Sequence, residues 1–224
     1  MTKEIYKPQF YKLITEWVSL LWQHLGEVVL LSALGFFGSI PLITGGVIFA
    51  GTYNIMRLLV ARELALKEDF TSAVKEKWKT ATALFLVNLA IILILAFDLY
   101  FFWNSPDIKF LFWVGIWFVL VFLMGLVYMF PMLTAENFSF KKIFVRSFKM
   151  AMVDPLFSFL VAGFSMLWLA LCVILIPMLA TVAFGGLALW GSLAYREMSL
   201  KVDSILAVKP ESATEKDLDA ENEH

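Results

Sequence analysis

Apolar runs long enough to cross a membrane recur along the chain, separated by short polar segments. A bilayer core about 30 Å thick requires roughly 20 helical residues. The runs are 17–39, 42–60, 81–103, 110–132 and 156–195. The last run has Pro177 near its middle and is long enough for two crossings if its turn is tight, with a kinked, half-inserted pair as the alternative. The pattern predicts an all-α, polytopic membrane helix bundle in which six transmembrane helices form three hairpins.

Two of the polar segments between these runs, 62–79 and 140–149, each carry a stripe of apolar residues. Large apolar residues recur in them every four positions, which is typical of an amphipathic helix lying in the membrane surface. The stripe residues are Phe70, Val74 and Trp78 in one segment and Phe140, Phe144 and Phe148 in the other. Since the stripes align at a fixed offset, we predict two interfacial amphipathic helices and three repeated hairpins. Chance similarity between apolar sequences is the alternative.

Composition agrees with lipid as the solvent of the central region. The chain has 224 residues, 61% of them hydrophobic, against roughly 45–50% in soluble proteins. We divide it into a basic cytoplasmic lead-in (1–16), a six-helix transmembrane domain (17–201) and a disordered acidic cytoplasmic tail (202–224). The single cysteine, Cys172, allows no disulfide within the chain.

Basic residues predict the orientation. In the six-crossing topology every Lys and Arg except Lys109 falls on one side of the membrane. Since cytoplasmic loops are enriched in Lys and Arg, we expect both termini in the cytoplasm. The basic faces of the surface helices would then contact anionic lipid of the bilayer or a cytoplasmic protein partner. Acidic residues interleave with the basic ones, so we expect no nucleic-acid binding.

Four polar residues inside the predicted spans are candidates for a binding site, because polar groups in a membrane are costly. Counting from the cytoplasmic ends puts His24, Asn54 and Asn88 at similar depths, with Glu27 one turn deeper than His24. One interpretation is a proton- or cation-coupled site in which Glu27 changes protonation and His24 tunes its pKa. The other is that these groups hydrogen-bond to each other between helices.

The sequence lacks the motifs of common enzymes. It has no Gly-rich phosphate loop before a helix and no His-Glu-x-x-His, and two histidines cannot form a typical zinc site. We therefore predict no enzymatic activity, no metal site and no cofactor. Arg57 is expected to reach the headgroups, or alternatively to pair with Glu27.

The turn between the first two spans and the helix after it carry a recognisable pattern. The residues run Ile40-Pro41-Leu42-Ile43-Thr44-Gly45-Gly46, then Met56-Arg57-Leu58-Leu59-Val60-Ala61-Arg62-Glu63, followed by an aromatic and lysine-rich segment, 70–82. This pattern resembles the YesL-like family of bacterial integral membrane proteins, a domain of unknown function. The motif positions are Pro41, Thr44, Gly46 and Arg57. The resemblance covers most of 17–201, and His24 and Glu27 are outside it.

The resemblance implies a multi-pass protein of the bacterial inner membrane with an accessory role in carbohydrate uptake. Our first hypothesis is therefore a membrane scaffold that engages a cytoplasmic or membrane transporter partner through its surface helices. The second is a small proton- or cation-coupled transporter or channel, with a membrane enzyme as a distant third. A transporter needs a cavity that reaches Glu27, whereas a scaffold is packed shut there. The face at 45–52 is a candidate contact with a second copy in a homo-oligomer.

Overall fold

The computed structural model describes residues 5–64, 67–105, 108–175 and 178–208, and almost all of them are helical. The elements in chain order are α1 (Phe10–Gln23), α2 (Leu25–Ser39), α3 (Leu42–Val60), α4 (Lys67–Asn104), α5 (Phe110–Ala135), α6 (Phe140–Val153), α7 (Pro155–Ile174) and α8 (Phe184–Val208). A π-helical turn, Leu179–Ala183, leads into α8. The fold is all-α, as predicted. Residues 202–208 of the predicted tail are the end of α8, and the rest of that tail lies outside the described residues.

Three of the described helices are long and apolar enough to cross a membrane. They are α4, α5 and α7. The α1–α2 pair also meets this criterion when taken together, but the two axes are bent by 89°, so the pair is a broken span or a re-entrant element. The described part of the chain therefore contains three such helices, or four with the bent pair. These features are those of a membrane protein.

Three helices form the centre of the bundle. The inner helices α3, α5 and α8 pack against one another. The outer helices lie over the grooves between them, with α2 between α3 and α8, α4 between α3 and α5, and α7 between α5 and α8. Each inner helix follows an outer one in the chain, which agrees with a repeated helix pair.

Glycine allows two of these contacts to be very close. A Cβ atom on Gly46 of α3 would lie 2.5 Å from the carbonyl oxygen of Ala81 on α4. A Cβ atom on Gly185 of α8 would lie 2.5 Å from the carbonyl oxygen of Val28 on α2. The small-residue face of α3 that was a candidate contact with a second copy therefore packs against α4 of the same chain.

The first predicted span, 17–39, is wrong as a single helix. The chain leaves helical geometry at His24, which separates α1 from α2. Both helices are held on the same region of α8, since the Trp17 indole N–H donates to the Gly186 carbonyl (2.9 Å) and the Gly185 N–H donates to the Ser32 hydroxyl (2.8 Å). Two anchors this close together on α8 require the chain to bend between them.

The prediction of a separate surface helix at 62–79 is also wrong. Residues 67–79 are the first turns of α4, which continues for 38 residues, a length of about 57 Å. The segment 67–104 contains neither Gly nor Pro, so nothing in it interrupts the helix. By contrast, α6 ends where Asp154 and Pro155 begin α7, with the Phe157 N–H donating to the Asp154 carboxylate (3.1 Å).

Aromatic residues of both predicted stripes pack against inner helices. A Cβ atom on Gly51 of α3 would lie 2.5 Å from the Phe70 ring, and one on Gly125 of α5 would lie 2.7 Å from the Phe148 ring. Both rings are half-buried. The stripes therefore fix the amphipathic segments to the protein, and the charged residues between them remain at the surface.

Candidate functional site

His24 and Glu27 lie next to each other at the bend between α1 and α2. The His24 Nδ1 atom is 3.8 Å from Oε1 of Glu27, and their side chains are 32% and 55% exposed. Glu27 lies in the first turn of α2, where a carboxylate interacts favourably with the helix dipole. The pair does not line any of the three cavities described below.

Asn54 connects the end of α3 to the start of α4. Its Nδ2 atom donates to the Asp69 backbone carbonyl (3.0 Å), and its Oδ1 atom accepts from Nη2 of Arg57 (3.2 Å). Arg57 therefore contacts Asn54 in the structure, and the alternative of a pair with Glu27 is not what is found. This arrangement is an interhelical hydrogen-bond bridge.

Asn88 is buried between α4 and α5, with 4% of its surface exposed. Its Nδ2 atom donates to the Met129 sulfur (3.4 Å), which is a weak acceptor. Its Oδ1 atom has no hydrogen-bond partner among the residues that the structure describes. A buried acceptor without a hydrogen bond lowers the stability of the fold by about 1–3 kcal/mol. Packing alone therefore does not explain why an asparagine lies at this position.

The Asn88 side chain lines a central cavity of about 260 Å³. The walls come from α3, α4, α5, α7 and α8 and are almost entirely aromatic and aliphatic, for example Phe49, Phe85, Leu126 and Phe130. Besides Asn88, the polar groups on these walls are the Ser165 hydroxyl of α7 and the Tyr53 phenol of α3. The cavity matches the general form of a ligand site, which is mostly apolar with a few placed polar groups.

The four polar residues of the predicted site are thus in three different places. His24 and Glu27 share the bend, Asn54 lies with Arg57 at the end of α3, and Asn88 faces the central cavity. Counting residues from the helix ends gave similar depths, but depth does not fix which side of a helix a residue occupies. The bend at His24 also invalidates the count for α1 and α2.

The residues of the family motif shape the α2–α3 turn and the α3–α4 contact. Pro41 precedes the first residue of α3. The Thr44 hydroxyl is within hydrogen-bond distance of the carbonyl oxygens of Gly38 (2.5 Å) and Pro41 (2.9 Å), which closes the turn. Gly46 packs against α4, and Arg57 donates to Asn54. All four motif residues therefore have a structural role.

Charged side chains collect at one end of the bundle, which we call the polar end. Glu136, just after α5, is its centre. Its carboxylate accepts from Arg146 of α6 (3.1 Å) and from the Tyr195 hydroxyl of α8 (2.8 Å), and its backbone carbonyl accepts from Lys77 of α4 (3.4 Å). One acidic residue therefore links three helices there.

A second cluster at the polar end joins α1 to α8. Both guanidinium Nη atoms of Arg196 donate to the Glu16 carboxylate, at 2.8 and 2.5 Å. This bidentate pair lowers the pKa of Glu16 and raises that of Arg196. The Tyr6 hydroxyl donates to Glu197, and burial together with this bond raises the pKa of Tyr6 to about 12.

A third contact joins α8 to the start of α7. Lys201 donates to the Asp154 carboxylate (2.6 Å), the same group that caps α7. Burial of the Asp154 carboxyl opposes ionisation, but Lys201 and the Phe157 N–H outweigh it, so the pKa is lowered. Asp154 thus anchors α8 to the start of α7.

Two further cavities lie at the polar end. One, of about 470 Å³, is bordered by α6 and α8 and includes Arg146, Lys149 and Asp203. The other, of about 300 Å³, is bordered by α3 and α4 and includes Asn54, Arg57 and Lys77. Both contain acidic as well as basic side chains, so neither has the uniform charge that would select a simple anion or cation.

Comparison of this protein with models of known families, with curated proteins and with solved structures found no match. The resemblance to the YesL-like family rests on the motif residues alone.

Sequence reasoning missed the ionic contacts at the polar end. Glu136, Arg196 and Asp154 each lie just outside an apolar run, at a position where solvated charges are common. One local signal was readable, since an acidic residue directly before Pro155 is a helix start with its cap. The partners themselves come from distant parts of the chain, and no spacing in the sequence identifies them.

Proposed function

We propose that this protein is a multi-pass protein of the bacterial inner membrane, with six crossings in three hairpins and both termini in the cytoplasm. Three apolar helices and one bent pair support a membrane location. The polar end supports a common sidedness, because it gathers the starts of α4 and α7 and the ends of α5 and α8. Lys109, in the opposite turn between α4 and α5, remains the exception among the basic residues.

We further propose that it acts as an accessory or scaffold component beside a carbohydrate transporter. The observation that carries the scaffold role is the outer face of α6. Lys141, Lys142 and Lys149 are exposed on it, while Ile143 and Met150 on the opposite face are buried. A basic, amphipathic helix fixed by its apolar side presents its charges to a partner or to anionic headgroups. The connection to carbohydrate uptake comes from the family resemblance.

The alternative, a small proton- or cation-coupled transporter or channel, has less support. Its central acid, Glu27, is more than half exposed, and neither it nor His24 lines the central cavity. The walls of that cavity are apolar apart from Asn88, Ser165 and Tyr53. A conducted cation or proton would need charged or water-binding groups along its path.

The test is a charge reversal on α6 in the full-length protein, expressed in its own bacterium after deletion of the chromosomal copy. The variant is Lys141→Glu, Lys142→Glu and Lys149→Glu together. A matched variant reverses three exposed lysines at the start of α4, Lys67, Lys75 and Lys79. The measurements are crosslinking to subunits of carbohydrate transporters and uptake of radiolabelled oligosaccharides.

We expect wild type and the α4 variant to crosslink to a transporter subunit and to restore uptake, and the α6 variant to lose both. Unchanged uptake after deletion, with no transporter subunit crosslinked to wild type, would contradict the scaffold role. The alternative is tested on purified protein in proteoliposomes with an internal pH dye. Proton movement that is lost in Glu27→Gln would establish it instead.

A further inference from the structure

The side chains of α1 form three stripes around the helix axis, because residues three or four apart share a face. One stripe is polar, the next packs against the protein, and the third is apolar but exposed. The polar stripe is Lys12, Glu16, Ser19 and Gln23, the packed stripe is Phe10, Leu13, Ile14, Trp17, Leu20 and Leu21, and the exposed apolar stripe is Tyr11, Val18 and Trp22. The protein therefore covers only part of the apolar surface of α1.

The helix α1 crosses α8 and does not run along it. Phe10 and Trp17 are about 10 Å apart along the axis of α1, yet both rings contact the Trp190 ring of α8, with centroid distances of 5.9 and 6.1 Å. The axis of α2 is bent by 89° from that of α1, and α2 packs against both α3 and α8. Since α2 lies in the groove between those two helices, α1 lies across them.

The crossing lies at the boundary between the polar end and the apolar half. On α8, Trp190 precedes Arg196 by six residues, which is about 9 Å along the helix. Glu16 of the polar stripe accepts from Arg196 (2.8 Å), so this stripe faces the polar end. The exposed apolar stripe lies on the other side of the packed stripe and faces outward, away from the polar end.

The aromatic residues of the exposed stripe match the boundary of a bilayer. Tyr11 and Trp22 are both 77% exposed, and these two residue types are enriched where headgroups meet hydrocarbon. The polar and apolar stripes of α1 are also separated in the same direction as the polar end and the apolar half of the bundle. A helix in the membrane surface requires this alignment, whereas a protein partner does not impose it.

We propose that α1 lies in the membrane interface on the side of the polar end, parallel to the membrane plane, with Tyr11, Val18 and Trp22 in contact with bilayer lipid. The chain then enters the hydrocarbon with α2, whose 15 residues extend about 22 Å. This length is short of a core about 30 Å thick, as expected for a helix that begins below the headgroups. The inference rests on the proposed membrane location but not on the scaffold role, because it uses no residue of α6.

The test measures the depth of spin labels in the full-length protein, reconstituted in phosphatidylcholine liposomes. The chain has one cysteine, so Cys172→Ser provides the background. Collision of each label with oxygen and with a water-soluble nickel chelate, measured by electron paramagnetic resonance, gives its depth. The labelled variants on α1 are Tyr11→Cys, Val18→Cys and Trp22→Cys, and the matched set, at the same spacing on exposed positions of the spanning helix α4, is Leu86→Cys, Leu93→Cys and Phe97→Cys.

We expect the three labels on α1 to lie at one depth, about 5–10 Å below the headgroups, and the labels on α4 to differ by up to about 16 Å. A label at Ser19→Cys, in the polar stripe, should collide with nickel more often than one at Val18→Cys. A depth that increases along α1 as it does along α4 would overturn the proposal. So would labels on α1 that are fully open to nickel, or shielded from both reagents by a protein contact. Labels on α4 that are open to nickel would instead contradict the membrane location itself.

A second measurement on the wild type needs no substitution. Phosphatidylcholine with a photoreactive diazirine next to its headgroup should label residues 11–22, identified by mass spectrometry. The same lipid with the diazirine at the end of an acyl chain should label the middle of α4 more strongly than α1. Equal labelling of both helices by the chain-end probe would place α1 in the bilayer core and overturn the proposal.

Discussion

The polar end and the opposite, apolar half of the bundle are held together in different ways. At the polar end, directional contacts fix the helices: Glu136 joins three of them, Arg196 ties α1 to α8, and Lys201 ties α8 to α7. In the apolar half, side chains such as Trp117 and Ile174 are 69% and 76% exposed, and the central cavity is lined in part by the exposed residues Ile92 of α4 and Met166 of α7. The polar end is therefore held by hydrogen bonds and ion pairs, whereas the apolar half exposes large hydrophobic side chains.

This contrast follows from the solvent. In hydrocarbon there is no hydrophobic force between helices, so their association relies on van der Waals packing, which small residues bring closest, and on interhelical hydrogen bonds. Gly46 and Gly185 provide such packing for α3–α4 and α2–α8. Among the described residues no glycine makes such a contact between α4 and α7, and both helices line the central cavity. We therefore predict that the stability of the apolar half depends on close helix contacts at glycine, and that the stability of the polar end depends on its ion pairs.

The largest effect is expected for Gly46→Ala. The added Cβ would meet the Ala81 carbonyl at 2.5 Å, and two backbones must separate to admit it. Overpacking of this kind costs about 3 kcal/mol. Thermal unfolding in detergent, followed by circular dichroism, measures the loss.

Gly163→Ala is the matched control for Gly46→Ala. A Cβ on Gly163 of α7 would meet nothing within 4 Å. The same substitution there should stabilise the helix by roughly 0.5–1 kcal/mol. Equal effects of the two substitutions would show that close helix approach does not hold the apolar half.

A smaller loss is expected for Arg196→Gln at the polar end. Removing the guanidinium leaves Glu16 without this ion pair and leaves Glu197 with only the Tyr6 hydroxyl, while both carboxylates keep some contact with solvent. We expect a loss of about 1–2 kcal/mol, between the values for exposed and buried pairs. Thermal unfolding should also show that the Glu16→Gln, Arg196→Gln double variant is less destabilised than the sum of the single variants. Strict additivity would mean that the pair does not couple.

Acid should weaken the polar end before the apolar half. The pKa values of Glu16 and Asp154 are lowered from their ordinary values of 4.5 and 3.8 by their partners. Because folding favours the ionised forms, their contribution is complete above those ordinary values and is lost as the pH falls through the lowered ones. The unfolding midpoint should therefore fall as the pH drops below about 4.5. An Arg196→Gln, Lys201→Gln variant should show a flatter pH dependence, and an identical slope would contradict this assignment.

The sequence was sufficient to predict the helices that depend only on local patterns of apolar and polar residues. Apolar length predicted α5 and the apolar part of α4, and the four-residue stripe predicted the position of α6. The break at His24 could not be predicted in this way, because it arises from contacts of Trp17 and Ser32 with α8, more than 150 residues away. The site was predicted less well than the fold. Asn88 was recognised as a buried polar residue, but the cavity beside it depends on how five helices diverge.

The smallest effect is expected for Glu27→Gln. The carboxylate is 55% exposed and lies 3.8 Å from the His24 imidazole, and such a pair contributes below about 0.5 kcal/mol. Thermal unfolding should therefore be nearly unchanged in this variant. A large loss of stability would mean that Glu27 is buried in the bilayer against a partner, as the alternative site between helices requires. A small loss would instead indicate that the bend between α1 and α2 lies among solvated polar groups. The first hairpin would then show the same division between a polar end held by hydrogen bonds and ion pairs and an apolar half without them.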